Sequence, residues 1–275
     1  MNPFPQRTPL GRTGLAVGPL GVSGGYGVDA RSLLRAFDRG VNYWYHGSLR
    51  RNGMAKAIRE LVRSGKRDQL VIVLQSYMRW PWYMERSVAG GLRHLGIDHA
   101  DILLLGLYNS APWESILARA ERMREKGMFR HLAISGHHRP SFVDFAADRR
   151  YGVLHIRYSA AHPGAEQDVF PRMPQEDRPG IVAYTATSWG HLLRAKGLPK
   201  GEVPLRGRDA YRFVLTNPNF NVCMTGPKNA GEMDEALAAL DDGPLSSDEE
   251  TRIRRIGAVL HGGAPPLSPV NPASA

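Results

Sequence analysis

Eight short apolar or β-branched runs, set apart by stretches of helical periodicity, constrain this chain more than any other feature. They cover residues 19–23, 41–45, 70–75, 101–106, 131–135, 153–157, 181–184 and 221–225. Several are continuously apolar, as strands buried on both faces of a parallel sheet must be. The segments between them carry apolar residues on one helical face: Leu33, Leu34 and Phe37 in 30–39, Met54, Ala57, Ile58 and Leu61 in 53–63, and Ile116, Leu117, Ala120 and Met123 in 113–125. Segment 159–180 holds four prolines, so it predicts a short helix at best. Residues 185–208 read as a long loop. Ser247-Asp248-Glu249-Glu250 reads as a capping box opening a final helix over 248–260. Eight such units in roughly 250 residues match the α/β class and the (β/α)8 TIM barrel. A doubly wound sheet is the alternative, but that fold carries an early glycine fingerprint. Gly24-Gly25-Tyr26-Gly27 lacks the G-x-G-x-x-G spacing.

The two ends flank this core. Residues 8–17 predict a β-hairpin turning near 12–14. Residues 261–275 hold four prolines and no acidic or basic side chain other than His261, so they predict a loose tail behind a single domain spanning 1–260. With 42% hydrophobic and 23% charged residues, wholesale disorder is excluded. The longest apolar stretches fall well short of the roughly 18 residues of a membrane span, and the first eight residues have no signal-peptide core. A lone cysteine, Cys223, excludes an internal disulfide and a cysteine metal cage. A cytoplasmic location is the expectation. The net charge of +10 invites an acidic partner. The basic residues are scattered, however, and no nucleic-acid-binding motif is present, so neither a nucleic acid nor a membrane is expected as partner.

Several segments, in order, resemble one family. Pro9-Leu10-Gly11-Arg12-Thr13-Gly14-Leu15-Ala16-Val17 resembles the opening hairpin of aldo-keto reductases. The likeness continues through Ala36-Phe37-Asp38-Arg39-Gly40-Val41-Asn42, Leu92-Arg93-His94-Leu95-Gly96-Ile97-Asp98, Glu125-Lys126-Gly127, Ile181-Val182-Ala183-Tyr184 and Thr225-Gly226-Pro227-Lys228-Asn229. It covers nearly the whole chain. It implies a barrel whose strand ends carry an NADPH-dependent carbonyl reduction, performed by an Asp, a Tyr acid, a Lys and a His.

At the positions that the resemblance assigns to this tetrad stand Tyr45, Arg50, Ser76 and Gly106. Carbonyl reduction needs a proton donor poised near neutrality, and a phenol with pKa near ~10 reaches that only beside a cation. Standard reductase chemistry is therefore not expected. Tyr45, Arg50, Ser76, Tyr77 and Tyr108 remain the candidate catalytic residues, as tetrad positions or their neighbours. The resemblance assigns cofactor contacts to Ser135, His155, Tyr184, Gly226, Lys228 and Asn229, with NADP as the cofactor. Against it stand Gly136 in place of an Asn, and Glu232 where a Gln or Arg is usual. His46, Arg79, Trp80, Trp82 and His137 are the candidate substrate contacts, suited to an anionic or aromatic small molecule. Six of the ten histidines lie at or just beyond strand ends, but their spacing follows no metal motif, and no metal is assigned. The expected function is thus a small molecule bound at the barrel mouth with altered chemistry. A non-catalytic binding or regulatory protein and an NADP-dependent oxidoreductase with a rebuilt proton donor are the alternatives.

Overall fold

A computed structural model describes residues 4–47 and 52–261. A short antiparallel hairpin, β1 (Thr8–Pro9) with β2 (Ala16–Val17), precedes eight parallel strands: β3 (Leu20–Ser23), β4 (Tyr43–His46), β5 (Val71–Ser76), β6 (Ala100–Leu105), β7 (Phe129–Gly136), β8 (Tyr151–Arg157), β9 (Gly180–Tyr184) and β10 (Val222–Thr225). These close in the order β10-β3-β4-β5-β6-β7-β8-β9, so all eight expected strands and the barrel are present. The helices are α1 (Ala30–Asp38), α2 (Asn52–Arg63), α3 (Pro81–Leu95), α4 (Glu114–Glu125), α5 (Ser141–Ala147), α6 (Ala165–Asp168), α7 (Gly207–Thr216), α8 (Ala230–Asp242) and α9 (Ser247–Leu260). The segment after β8 holds only the four-residue α6 and one short 3₁₀ turn, as its prolines dictate. The tail beyond residue 261 lies outside the described residues.

Alternation along each strand sorts the side chains into two cores. Val71, Val73, Ile102, Leu104, Ala133, Val153, Val182 and Val222 fill the barrel, and Trp44, Ile72, Leu74, Leu103 and Leu105 face the helices. The hairpin plugs the end from which the strands start, placing Leu10 and Val17 on the inner core. Gly11 makes this possible: its φ is +48°, and a Cβ there would lie 2.1 Å from the Gly180 nitrogen. Arg12 N–H donates to the Arg178 carbonyl at 2.8 Å, tying the turn to the strand beyond.

Two details depart from expectation. The capping box of α9 sits one residue earlier, with Ser246 accepting from Glu249 N–H and the Glu249 carboxylate accepting from Ser246 N–H. Glu250 is drawn inward to Arg254 at 2.9 Å and is not available to cap. Trp80-Pro81-Trp82, whose tryptophans read as substrate contacts, opens α3 instead. Proline suits a first helical turn, and Trp80 and Trp82 are 65% and 59% exposed.

Candidate functional site

The carboxyl ends of the strands surround a cavity of about 630 Å³. Strand alternation decides what enters it. On β4, Tyr43 and Tyr45 face inward, while Trp44 lies on the outer core and His46 stacks on His94 of α3 at 5.5 Å. His46 therefore sits behind the strand rather than at the mouth. On β5, Val71 and Val73 face inward, so Gln75 does too, and Ser76 turns toward the helices, where its hydroxyl accepts from Met78 N–H at 3.2 Å. Gln75, not Ser76, thus occupies the inward position at this strand end. Gly106, following β6, carries no side chain, and the Gln75 amide and Tyr77 ring lie over it. Tyr45, Gln75 and Tyr77 line the cavity together. Arg50 lies outside the described residues.

The inner end of the cavity is neutral. The Tyr45 hydroxyl donates to Gln75 Oε1. Burial, then the neighbouring Tyr77 phenol, push the Tyr45 pKa upward. At the base, His155 Nε2 lies 2.8 Å from the Tyr43 hydroxyl, and burial lowers the imidazole pKa to about 3. It stays uncharged at neutral pH. Tyr184 lines one wall, donating its hydroxyl to the Gly136 carbonyl at 2.8 Å, with His137 stacked beside it at 6.3 Å. The Ser135 hydroxyl accepts from Leu107 N–H at 3.3 Å. The charged lining residues among those described are Lys228, Arg194, Glu232 and Glu235. Of these, Glu232 accepts from the Lys228 N–H at 2.9 Å, and Glu235 holds Arg208.

Several expected contacts serve the fold instead. Arg79 lies 3.8 Å over the Tyr108 ring and donates to the carbonyls of Tyr77, Gly106 and Leu107. This brace holds Leu107 at φ +58° and leaves Tyr108 behind the cavity wall. Asn229 caps α8, accepting from Glu232 N–H at 2.9 Å. Trp80 and Trp82 point to solvent. Of the histidines near strand ends, only His137 and His155 line the cavity among the described residues. No group of three or more His, Cys, Asp or Glu with metal-binding geometry occurs among them. No described helix is long and apolar enough to cross a membrane. Gln75, Tyr26 and Trp189 are cavity residues that the sequence reading overlooks. For Gln75 the signal was there: counting by twos from Val71 and Val73 reaches it.

No protein-family model and no curated protein sequence matches the chain. Solved structures do. The aldo-keto reductase AKR11C1 from Bacillus halodurans superposes in its holo form with a TM-score of 0.75 and in its apo form with 0.73. In both cases identity is 19%, covering 93% of this chain and 96% of that one. The chain thus has the aldo-keto reductase fold.

Proposed function

We propose that the protein holds a small, largely aromatic molecule in its barrel mouth and does not perform ordinary NADPH-dependent carbonyl reduction. One observation carries this reading: the inward positions at three neighbouring strand ends are Tyr45, Gln75 and Gly106. A general acid must be able to release its proton near the working pH. Tyr45 is pushed the other way, with no cation beside it among the described residues, and His155 is neutral and committed to Tyr43. What remains is a rigid set of phenols, an amide and an imidazole under aromatic walls, an arrangement suited to recognition.

The residues present do not fit the nicotinamide dinucleotide that the resemblance implies. At Gly136, where an Asn would hold the carboxamide, a Cβ would lie 2.0 Å from the Tyr108 carbonyl oxygen, so no side chain can stand there. His155, in place of a Gln, is spent on Tyr43. The Glu232 carboxylate sits beside Lys228, opposing a phosphate. Tyr184, Gly226 and Lys228 are the positions that favour the dinucleotide, and they lie along one groove.

Titration with NADPH, followed by tryptophan fluorescence and by aldehyde reduction, tests both statements. We expect no saturable cofactor binding at micromolar concentrations and no reduction above background. Loss of a positioned general acid alone costs about 10²–10⁴-fold. Restoring the tetrad as Tyr45→Asp, Arg50→Tyr, Gln75→Lys and Gly106→His leaves the protein inactive if the cofactor groove itself is lost. Robust aldehyde reduction by the natural protein, abolished by Tyr184→Ala, would overturn the proposal in favour of a rebuilt proton donor.

A further inference from the structure

The polar groups of the inner cavity are fixed in a way that the loss of a catalytic tetrad does not require. Gln75 projects its carboxamide into the mouth, and the Tyr45 hydroxyl holds its Oε1. That single contact orients the amide: with the oxygen engaged, the Nε2 end is turned away from Tyr45, toward Gly106 and Tyr77. A Cβ built on Gly106 would lie 2.5 Å from Gln75 Nε2 and 2.6 Å from Tyr77 Cε1. Gly106 therefore gives the amide its place, because any side chain there would displace it. Among the described residues Nε2 has no protein acceptor. It is not sealed from the cavity either, since Gln75 lines it.

The backbone beneath is immobilised. Arg79 bonds the Gly106 and Leu107 carbonyls at 2.8 Å each, and Tyr108 N–H donates to the Ser135 carbonyl at 2.7 Å. Asn109 Oδ1 accepts from the backbone N–H groups of His137 and His138. The donor thus stands on a preorganised rim, where little ordering remains to be done on binding.

We propose that Gln75 is the specificity-determining residue of the mouth, donating Nε2–H to the carbonyl oxygen of an uncharged, planar carboxamide or ketone. Tyr45 and Gly106 are its positioning residues. This rests on the reading of the mouth as a small-molecule pocket. A neutral head group follows from the lining groups around Gln75 among the described residues: Tyr45 and Tyr77 are phenols, and burial keeps His155 uncharged. A carboxylate at the inner end would lose its hydration, and the guanidinium behind Gly106, that of Arg79, is already engaged by the Gly106 and Leu107 carbonyls. The flat scaffold follows from the tyrosine walls.

Three probes sharing one ring separate the parts: naphthalene, 2-naphthamide and 2-naphthoate, with affinities read by calorimetry on the full chain. In the natural protein the amide binds about tenfold tighter than the bare ring, as one or two well-placed hydrogen bonds allow, and the carboxylate binds no better than the ring. Gln75→Glu keeps an acceptor for Tyr45 but removes the amide donor, so it erases the preference of amide over ring. Gly106→Ala displaces the amide and does the same, with thermal melts confirming that both variants fold. Equal affinity of ring and amide in the natural protein overturns the assignment, as does an amide preference that survives Gln75→Glu. Tighter binding of the carboxylate overturns the neutral head group. If none of the three binds, the pocket reading itself falls, and the role of Gln75 with it.

Discussion

The two ends of the barrel are built from the same strands with the same alternation, yet they are different materials. At the closed end, Leu10 and Val17 from the hairpin meet Val71, Ile102, Val153 and Val222 in a dry aliphatic layer. At the open end, two to four residues further along those strands, the inward positions are Gln75, Ser135, His155, Tyr184 and Met224, around a cavity. Side-chain volume specifies the first. The second depends as much on where a side chain is missing, as at Gly106. One pattern of alternation can thus hold a stability element and a recognition element, separated by only one or two pleats.

The comparison breaks or holds most visibly under a single substitution made at both ends. Gly11→Ala forces a Cβ against the Gly180 backbone at positive φ, and we expect a loss of about 3–5 kcal/mol in denaturant unfolding. The atoms nearest a Cβ on Gly106 are side-chain ones, Gln75 Nε2 and the Tyr77 ring, rather than backbone, so Gly106→Ala should cost less, about 1–2 kcal/mol. Comparable losses at the two ends would show that the mouth is packed as tightly as the base.

Next in size is an effect of pH. The folded His155 pKa is about 3, below the ordinary histidine value of 6.5. Between those values the unfolded chain binds a proton that the native state refuses, so stability falls as pH drops through this window. Between pH 7.5 and 5 the expected loss is about 2 kcal/mol. His162, lowered to about 4 by partial burial and nearby Arg157, adds in the same direction. His155→Gln should remove its own share of that slope, leaving the part due to His162, in urea midpoints measured across the window. An unchanged slope would mean that the open end is more hydrated than its burial implies.

Smallest is Tyr45→Phe. It leaves Gln75 Oε1 without its donor, and we expect about 1 kcal/mol of destabilisation and an amide-over-ring preference reduced about threefold. Full retention of that preference would show that packing alone, rather than the phenol, orients the amide.

What was legible in the sequence follows the same division. Strands buried on both faces have to be apolar throughout, so all eight could be read as runs, and the hairpin followed from its glycines. The α9 cap was misread by one residue because Ser246-Ser247-Asp248-Glu249-Glu250 satisfies the box pattern in two registers. Only the pull of Arg254 on Glu250 separates them. At the mouth, residue types were visible but orientation was not. Ser76 and His46 are polar and adjacent to the right places, yet strand parity turns both outward. Arg79 reads as a free cation until its three carbonyl partners are seen. Those partners come from the loops after β5 and β6, which strand periodicity does not reach.

Ring closure has a kinetic consequence. The seam of the barrel joins β3 to β10, pairing Leu20 with Cys223 and Val22 with Thr225, and the Thr225 hydroxyl donates to the Gly21 carbonyl at 2.9 Å. These contacts span about two hundred residues of chain, so they form only after most of the loop entropy has been lost. During synthesis the first strand must wait for the last, and until then two parallel edges stand open to any other extended chain. The period of greatest aggregation risk is therefore set by the time taken to translate the segment between residues 23 and 222.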